Sequence, residues 1–530
     1  MTARDGAHIQ TRPEVPTALL QLVNSVIWPG FVGTTVPAWL DQALLDGLAG
    51  VVYFTHNIDP DSPTQVAALS AAIRSANPGA VIGVDEEGGN VTRLQARDGS
   101  TVPGAAVLGA LDDLSVTEAA GREIGRLCHE AGINLTIAPV ADVNTNPLNP
   151  VIGVRAFGSN TALVSRHTAA AVTGIQSAGV GACAKHFPGH GDTVADSHMG
   201  TARLELGMDE ITAHHLPPFH AAFDAGVASV MSAHIIIPEL SEAPATLNPA
   251  MGALLRGTGF DGLLITDALD MAAIRATVGA GEGAVLSMLA GADLLCVGNP
   301  LNDYSSGGND FDCYVEVRDA LIDAASSGRL PLEVLQTARA RVAAFAQWSA
   351  DNWGAGDDGA AAGSPYRWVD AAEQACTVEA THGPATLPAG TTDVVVVDAR
   401  TEFNMAAGPT ANFFAQALSA TVTVHERTPE ALLAGLVPAD LPVIAITDAL
   451  TSAEQQQTLA AVAALAEPGA GTAADGAAAG LAPVSRRRVV AINAGLLPMA
   501  QERAPLSTIH CHGSSRVSAA AVARLLLAGA

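Results

Sequence analysis

Short apolar runs recur along the first two thirds of the chain, and stretches with helical periodicity separate most of them. Eight runs are predicted strands: Ser25–Val32, Gly50–Phe54, Ala80–Val84, Asn134–Val140, Val180–Ala184, Ser229–Ile237, Gly262–Thr266 and Ala292–Val297. Helical spacing appears in Trp39–Leu48, Gln65–Ile73, Val116–Cys128, Ala162–Ile175 and Met208–Ala225. Alternating strands and helices predict parallel pairing, and eight such units over roughly 300 residues have the size of a closed (β/α)8, TIM-like barrel.

An open doubly wound sheet is the alternative, but no predicted strand is followed by a G-x-G-x-x-G turn. A second set of strands is predicted at Asp393–Val397, Thr421–Val424, Pro442–Thr447 and Arg488–Ile492, and a helix at Val517–Leu527 closes the chain. This pattern indicates a smaller α/β sandwich domain. The predicted organisation is therefore a catalytic barrel over residues 1–350, a linker over 351–385 and a C-terminal domain over 386–530.

Composition and charge limit the classes of molecule that this protein is expected to bind. The 530 residues are 49% hydrophobic and 15% charged, which is typical of a globular chain, and the formal net charge is -27. That charge argues against nucleic acid and anionic membranes as partners. The six cysteines are scattered without a C-x-x-C pair, as in proteins with reduced thiols. No signal-peptide pattern or membrane-spanning apolar run is seen, so a cytoplasmic enzyme is predicted.

Polar side chains are concentrated where the predicted strands end. They include Asp85-Glu-Glu-Gly-Gly-Asn-Val-Thr-Arg93, Asp142 with Arg155, the stretch Lys185–His198, His234 and Asp267 with Asp270. Taken singly, each aspartate could be a helix cap and His234 a core histidine. Loops at the carboxyl ends of barrel strands meet at one face, however, so their joint placement predicts one shared pocket. Lys185 is the only lysine in the chain, and a compact ammonium is not interchangeable with arginine at a tight polar site.

The stretch Lys185-His-Phe-Pro-Gly-His-Gly-Asp-Thr-Val-Ala-Asp-Ser-His198 allows two kinds of chemistry. Its three histidines could bind a metal, but the further ligands that such a site needs are not found elsewhere. The other interpretation is acid/base work, because Asp196 can orient the imidazole of His198, which titrates near neutrality.

This stretch resembles the signature of the bacterial β-N-acetylglucosaminidases of glycoside hydrolase family 3. Other segments agree with the family's pattern, in its order, over most of residues 20–345: Val84-Asp-Glu-Glu-Gly-Gly89, Ala138-Pro-Val-Ala-Asp-Val-Asn144, Asn149-Pro-Val-Ile-Gly153 and Gly262-Leu-Leu-Ile-Thr-Asp-Ala-Leu-Asp-Met271. One departure is Asn90, which stands where the family normally has arginine. The C-terminal domain carries no comparable signature.

The resemblance implies the following roles. Asp267 is the nucleophile that forms a covalent glycosyl-enzyme, and His198, paired with Asp196, is the acid/base. The residues that hold the sugar hydroxyls are Asp85, Arg93, Arg155, Lys185 and His186. The implied substrate is a small carbohydrate, a terminal β-linked N-acetylglucosaminide. A histidine here replaces the acid/base carboxyl of most retaining glycosidases.

Several alternatives stay open at this point. A neutral base does not repel an anion, so inorganic phosphate could replace water and make the enzyme a phosphorylase, and β-glucosides could also be substrates. A metal-dependent hydrolase and a non-catalytic sugar-binding protein are more remote interpretations. No Gly-rich nucleotide turn follows Val397, so no cofactor is predicted. The C-terminal domain could pack on the barrel, mediate oligomerisation or contribute a loop to the site.

Overall fold

The computed structural model describes residues 15–195, 200, 202–302, 309–354, 367–381, 383–400, 411–466, 487–497 and 505–529. Eight short parallel strands form its first part, and each is followed by at least one helix. In chain order these barrel strands are β1 Ile27–Pro29, β2 Gly50–Tyr53, β3 Val81–Val84, β4 Leu135–Thr136, β5 Gly181–Phe187, β6 Ser229–Ser232, β7 Leu263–Thr266 and β8 Leu295–Gly298.

The strands close on themselves. Six of them pair in the order β2-β3-β4-β5-β6-β7, and β1 pairs with β8 in parallel. A parallel bridge between Ile265 and Leu294 joins β7 to β8. The Ala49 N–H donates to the Asn24 carbonyl over 3.0 Å, which ties the chain entering β2 to the chain entering β1. The predicted (β/α)8 barrel is thereby confirmed.

Side chains alternate along the strands between the barrel interior and the helix layer, as a closed barrel requires. Val51 belongs to the outer cluster, whereas Val52 packs inside with Trp28. The Trp28 ring fills the interior beside Gly83, where a Cβ atom would lie 2.1 Å from the ring. Its indole N–H donates to the Val81 carbonyl over 2.8 Å, so this buried polar group is satisfied. The barrel interior is thus filled with packed side chains, which support the polar residues at the strand ends.

Helices surround the barrel and cover the second sheet. Those around the barrel that have seven or more residues are α1 Thr17–Asn24, α2 Ala38–Leu45, α3 Gln65–Ala76, α4 Ala105–Leu111, α5 Leu114–Glu130, α6 Thr161–Ser177, α7 Pro217–Asp224, α8 Pro249–Gly257, α9 Ala280–Leu289, α10 Asp310–Ser326 and α11 Leu332–Asn352. The predicted helix Met208–Ala225 is divided into a turn at Met208–Glu210, a π-helical segment at Ile211–His215 and α7, which begins at Pro217. Within the described ranges, no helix is both long and apolar enough to cross a bilayer.

The C-terminal domain is built on a six-stranded, mostly parallel sheet. Its strands are β9 Thr377–Glu379, β10 Asp393–Asp398, β11 Thr423–Arg427, β12 Val443–Thr447, β13 Val489–Asn493 and β14 Thr508–His510, and they lie in the order β9-β14-β13-β12-β10-β11. Its helices are α12 Trp368–Ala375, α13 Phe413–Ser419, α14 Pro429–Leu433, α15 Ala453–Ala464 and α16 Arg516–Leu527. Separate apolar clusters pack on the two faces of this sheet. The predicted smaller α/β sandwich is confirmed.

The two parts share a core. Trp368 and Ala372 of α12, with Val517 and Ala521 of α16, belong to the apolar cluster that also holds the barrel helices. Within the predicted linker 351–385, α12 forms this contact and β9 pairs antiparallel with β14. The domain boundaries themselves stay a prediction. The shared core fixes the C-terminal loops of the second sheet beside the mouth of the barrel.

Candidate active site

A cavity of about 820 Å³ opens at the carboxyl ends of the barrel strands. The six predicted site residues that lie in the described ranges all line it: Asp85, Arg93, Arg155, Lys185, His186 and Asp267. Its floor is formed by apolar side chains of the barrel interior, including Val52, Ile137 and Met231. The structure therefore brings together residues that are up to 182 positions apart in the sequence, from Asp85 to Asp267 (267 − 85).

Lys185 lies at the centre of a buried ion-pair network. Its Nζ is 2.9 Å from Asp85 Oδ1 and 2.7 Å from Glu87 Oε1, and its side chain is only 2% exposed. Arg93 also approaches Asp85, with 3.7 Å between Nη2 and Oδ2. A single ammonium thus holds two carboxylates from the loop after β3. This fits a compact, multiply bonded cation better than a planar guanidinium.

Arg155 is held by Glu87 rather than by Asp85. Its Nε and Nη2 donate to the two carboxylate oxygens of Glu87 over 3.0 and 2.8 Å, and its Nη1 donates to the Val151 carbonyl over 3.0 Å. Such a bidentate pair fixes the guanidinium in one orientation. Glu87 was not among the predicted site residues. Its place in the Asp-Glu-Glu run after a buried strand was the available signal, but sequence alone does not say which carboxylate faces which cation.

In this network, the attraction between opposite charges has a larger effect on the pKa values than burial has. Burial alone would raise the pKa of Asp85, but Lys185 and Arg93 hold that pKa below its usual range. Burial likewise opposes ionisation of Glu87, and Arg155 with Lys185 lowers its pKa strongly. For Lys185, burial would lower the pKa, and Asp85 with Glu87 raises it. All the partners are therefore charged at neutral pH, which leaves the cavity with fixed polar groups of both signs.

Glu86 points away from this network and supports the loop that carries Arg93. Its Oε2 accepts from the Arg93 and Leu94 N–H groups, each over 3.0 Å, while Oε1 is buried without a hydrogen-bond partner in the described part of the chain. Burial raises the pKa of Glu86 to about 7, even though Thr92 and these two N–H groups oppose the shift. Glu86 is therefore a positioning residue whose protonation changes near neutrality.

We expect Glu86→Gln to change the pH dependence of stability. The pKa of Glu86 is higher in the folded protein than in the unfolded chain, so its contribution is fully present below about pH 4.5 and is lost as the pH rises through about 7. Because glutamine resembles the protonated acid, the variant should match the wild type at pH 5 and exceed it by roughly 2–3 kcal/mol in the free energy of unfolding at pH 8.5. Urea unfolding at the two pH values measures this. Equal differences at both would show that ionisation of Glu86 is irrelevant.

His186 is oriented by a carboxylate that was not among the predicted site residues. Its Nδ1 lies 2.7 Å from Asp142 Oδ2, and Asp142 Oδ1 also accepts from the backbone N–H groups of His186 and His190, over 3.2 and 2.6 Å. The Lys185–His186 peptide bond is cis. Burial alone would raise the pKa of Asp142, but His186 holds it below its usual range. An ionised Asp142 accepts the Nδ1 proton, so the other ring nitrogen of His186 is the one available to a ligand.

Asp267 stands directly after β7 on a supported turn. Its Oδ1 accepts from the Ala268 N–H over 2.8 Å, and the Ala268 carbonyl lies 2.9 Å from His234 Nε2. His234 Nδ1 is in turn 2.9 Å from Thr246 Oγ1, so this histidine holds the turn and does not line the cavity. Asp270, on the same turn, accepts from the Asn299 N–H and the Asn302 amide over 3.1 and 2.7 Å. Both aspartates line the cavity, and Asp270 also holds the loop after β8.

The segment after His186 is packed and tethered. A Cβ atom on Gly191 would lie 1.9 Å from the Val143 carbonyl oxygen, so this glycine permits a close approach of two loops. Asn149 donates to the His190 carbonyl over 2.8 Å, and Asn146 donates to the Thr193 carbonyl over 3.2 Å. His190 is buried with its Nδ1 2.8 Å from Thr193 Oγ1, which gives it a structural place. Asp196 and His198 lie outside the described residues.

In the part of the chain that the structure describes, no set of ligands supports the interpretation that the histidines bind a metal ion. No group of three or more His, Cys, Asp and Glu side chains is arranged there to hold a metal ion. His186 and His190 instead use their Nδ1 atoms on Asp142 and Thr193.

The model of the glycosyl hydrolase family 3 N-terminal domain matches residues 32–345. The chain belongs to glycosyl hydrolase family 3. The matched region coincides with the barrel and its strand-end cavity. The family expected from the sequence is confirmed.

Similarity extends to named proteins. The chain is 38% identical over 285 residues to the beta-hexosaminidase of Stenotrophomonas maltophilia (strain K279a), an alignment covering 51% of this chain and 82% of that one. It is 32% identical over 336 residues to beta-hexosaminidase A of Pseudoalteromonas piscicida and spans about half of that relative, with 58% and 55% covered. A solved family 3 beta-N-acetylglucosaminidase from Paenibacillus sp. str. FPU-7 has a TM-score of 0.78 at 29% identity, covering 96% and 97%. The two-domain arrangement is thus shared over the full length.

Proposed function

We propose that this enzyme is a retaining exo-β-N-acetylglucosaminidase that removes terminal β-linked N-acetylglucosamine. The observation that carries the proposal is the single cavity in which Asp267 lies with Asp85, Arg93, Lys185 and His186. The names of the similar proteins, beta-hexosaminidase and beta-N-acetylglucosaminidase, support this substrate class.

The proposed reaction has two displacements. In the first, the Asp267 carboxylate attacks the anomeric carbon, the bond to the leaving oxygen breaks, and that oxygen takes a proton from His198. In the second, His198 removes a proton from water, which attacks the same carbon and releases Asp267. Asp196 orients His198 in both steps. The hydrogen bond from the Ala268 N–H to Asp267 Oδ1 fixes the direction of the nucleophile.

The charged network binds the sugar rather than reacting with it. Asp85, Arg93, Lys185 and His186 present donors and acceptors to the hydroxyl groups, and their mutual ion pairs hold them in place before the substrate arrives. Preformed orientation lowers the entropy that binding would otherwise cost. Arg155 takes part through Glu87, which it holds with both carboxylate oxygens engaged.

Asp142→Asn should weaken catalysis through His186. An amide that kept its oxygen towards the backbone donors would place an N–H group beside Nδ1, so the ring would change tautomer. Loss of a charge-assisted hydrogen bond of about 2 kcal/mol corresponds to roughly a thirtyfold fall in kcat/KM. The double variant Asp142→Asn/His186→Ala should then be no worse than His186→Ala alone.

Asp113→Asn is the matched control, because this exposed aspartate caps α5 and asparagine caps helices equally well. Fully additive losses for Asp142 and His186 would contradict the positioning role.

Product analysis tests the proposed function. The enzyme is incubated with aryl β-N-acetylglucosaminide and with the matching aryl β-glucoside, each with and without inorganic phosphate. The proposal predicts faster release from the N-acetylglucosaminide and free N-acetylglucosamine as the product in both buffers. Sugar 1-phosphate in the phosphate buffer would identify a phosphorylase instead, and a faster rate on the glucoside would identify a β-glucosidase.

A further inference from the structure

Two segments of the C-terminal domain line the sugar cavity. Phe413 begins α13, and Ser514 with Ser515 lies between β14 and α16. The backbone N–H of Ser514 donates to Asn90 Oδ1 over 2.9 Å, across 424 positions of sequence. Asn90 itself follows the paired glycines of the loop that carries Asp85 and Arg93. A single hydrogen bond therefore joins the second domain to the loop that holds the sugar-binding carboxylate.

Local backbone geometry makes this joint, the hydrogen bond from Ser514 to Asn90, possible. Gly88 and Val91 form an antiparallel bridge on either side of Asn90, and Gly88 and Gly89 both have positive φ, 78° and 58°. On the other side, a Cβ atom at Gly513 would lie 3.2 Å from Asn90 Oδ1. The glycine at position 513 thus leaves room for the Asn90 amide beside this loop.

The joint fixes the orientation of the Asn90 amide. A backbone N–H can only donate, so the amide oxygen must face Ser514 and the amino group is left on the other side. Within the described residues, neither this amino group nor the Ser514 hydroxyl has a hydrogen-bond partner, although Ser514 is 93% buried (7% exposed). Both residues line the cavity. Each domain therefore contributes one residue with an unused polar group to the lining of the cavity.

This geometry requires an acceptor atom at residue 90, which Asn90 Oδ1 supplies. A side chain that has donors but no acceptor, such as arginine, could not accept the Ser514 N–H. The asparagine is thus the residue that links the two domains in this chain.

We propose that Asn90 and Ser514 together form a hydroxyl-binding element of the sugar subsite, so that the C-terminal domain takes part in substrate recognition. This inference rests on the proposed function. The Asn90 amino group donates to one sugar hydroxyl, and the Ser514 hydroxyl donates to or accepts from a neighbouring one. Because an amide and a hydroxyl are neutral hydrogen-bonding groups, the pair contributes to binding more than to the bond-breaking step.

Three variants separate the possible roles. Asn90→Ala removes both the joint and the amino donor, whereas Asn90→Asp keeps the oxygen that accepts from Ser514 but loses the donor. Ser514→Ala keeps the backbone N–H and loses only the hydroxyl. Asn248→Ala is the matched control, because the Asn248 Oδ1 also accepts from a backbone N–H, that of Ala250 over 3.0 Å, away from the cavity.

Steady-state kinetics on an aryl β-N-acetylglucosaminide give the readout. Each lost hydrogen bond of about 1 kcal/mol should raise KM roughly fivefold in Asn90→Asp and in Ser514→Ala, with kcat within about twofold of the wild type. Asn248→Ala should leave both constants unchanged. Thermal unfolding of each variant checks that the fold is retained.

The outcomes decide between the roles. A wild-type KM in Asn90→Asp and Ser514→Ala, with a raised KM only in Asn90→Ala, would mean that Asn90 joins the domains without touching the sugar, and would overturn the inference. A wild-type enzyme that turned over no N-acetylglucosaminide would overturn the proposed function, and the inference with it, before any variant was compared.

Discussion

Asp267→Asn is expected to lower kcat/KM on an aryl β-N-acetylglucosaminide by roughly ten-thousandfold or more, as for other removals of a covalent nucleophile. The amide is nearly isosteric, and its oxygen can still accept from the Ala268 N–H that now binds Asp267 Oδ1. The turn held by His234 should therefore stay in place. Steady-state kinetics measure the loss, and calorimetric binding of N-acetylglucosamine checks that the cavity is intact.

Asp261→Asn is the control for this variant, because Asp261 is exposed and lies just before β7. It should retain wild-type kinetics. An Asp267→Asn enzyme that kept more than about a tenth of the wild-type kcat/KM would exclude Asp267 as the nucleophile. A variant that neither reacted nor bound sugar would point to a lost fold instead, which thermal unfolding would reveal.

Lys185→Met is expected to damage stability and activity together. Methionine keeps the volume but leaves Asp85 and Glu87 buried without the ammonium that now lies 2.9 and 2.7 Å from them. Removing one partner of a buried ion pair costs about 3–5 kcal/mol in the free energy of unfolding. The sugar also loses a charged hydrogen-bond donor, so kcat/KM should fall by roughly a hundredfold or more. Urea unfolding and kinetics measure the two effects.

Arg166→Met supplies the contrast, because Arg166 pairs with Asp112 at the surface, where both side chains are at least 39% exposed. Exposed pairs contribute about 0–1 kcal/mol, so this variant should remain close to the wild type. Equal destabilisation by the two substitutions would mean that the Lys185 network is no more important than a surface pair.

The single lysine also permits a direct observation. Selective 13C labelling of lysine yields one side-chain signal, that of Lys185. Since Asp85 and Glu87 raise its pKa despite burial, the signal should not titrate below about pH 10.5 and should shift when N-acetylglucosamine binds. Its stabilising contribution is then fully present across the neutral range and is lost as the pH rises from about 10.5 through the raised pKa.

Strand positions were the most predictable part of the fold. Buried strands of a barrel are continuous apolar runs, so Gly50–Tyr53 and Leu263–Thr266 could be located within a residue or two. The helix predicted over 208–225 ends early, because Pro217 and Pro218 begin a new helix after a π-helical segment. Strand β9 was missed since it is short and largely exposed. Its pairing with β14 depends on a partner 131 positions away, from Val378 to Ile509 (509 − 378).

For the site, sequence indicated which residues meet but not how they pair. Asp85, Lys185 and Asp267 were expected together because all follow barrel strands. Three contacts could not be predicted: the ion pair of Arg155 with Glu87, the contact of His186 with Asp142, and the hydrogen bond from Ser514 to Asn90. Each depends on side-chain directions that are set by tertiary packing. A sequence motif indicates the type of reaction. Which residues bind the substrate, which position other residues and which react depends on the folded site.

The central claim is a covalent glycosyl-enzyme on Asp267, and mass spectrometry tests it most directly. A 5-fluoro analogue of an N-acetylglucosaminyl fluoride slows the second displacement, so the intermediate accumulates. Trypsin cleaves after Arg256 and Arg275, and the peptide spanning residues 257–275 contains Asp261, Asp267 and Asp270. We expect this peptide to gain the mass of the sugar and fragmentation to place the sugar on Asp267. Inactivation with the sugar on another residue, or turnover of the analogue without any covalent adduct, would contradict it.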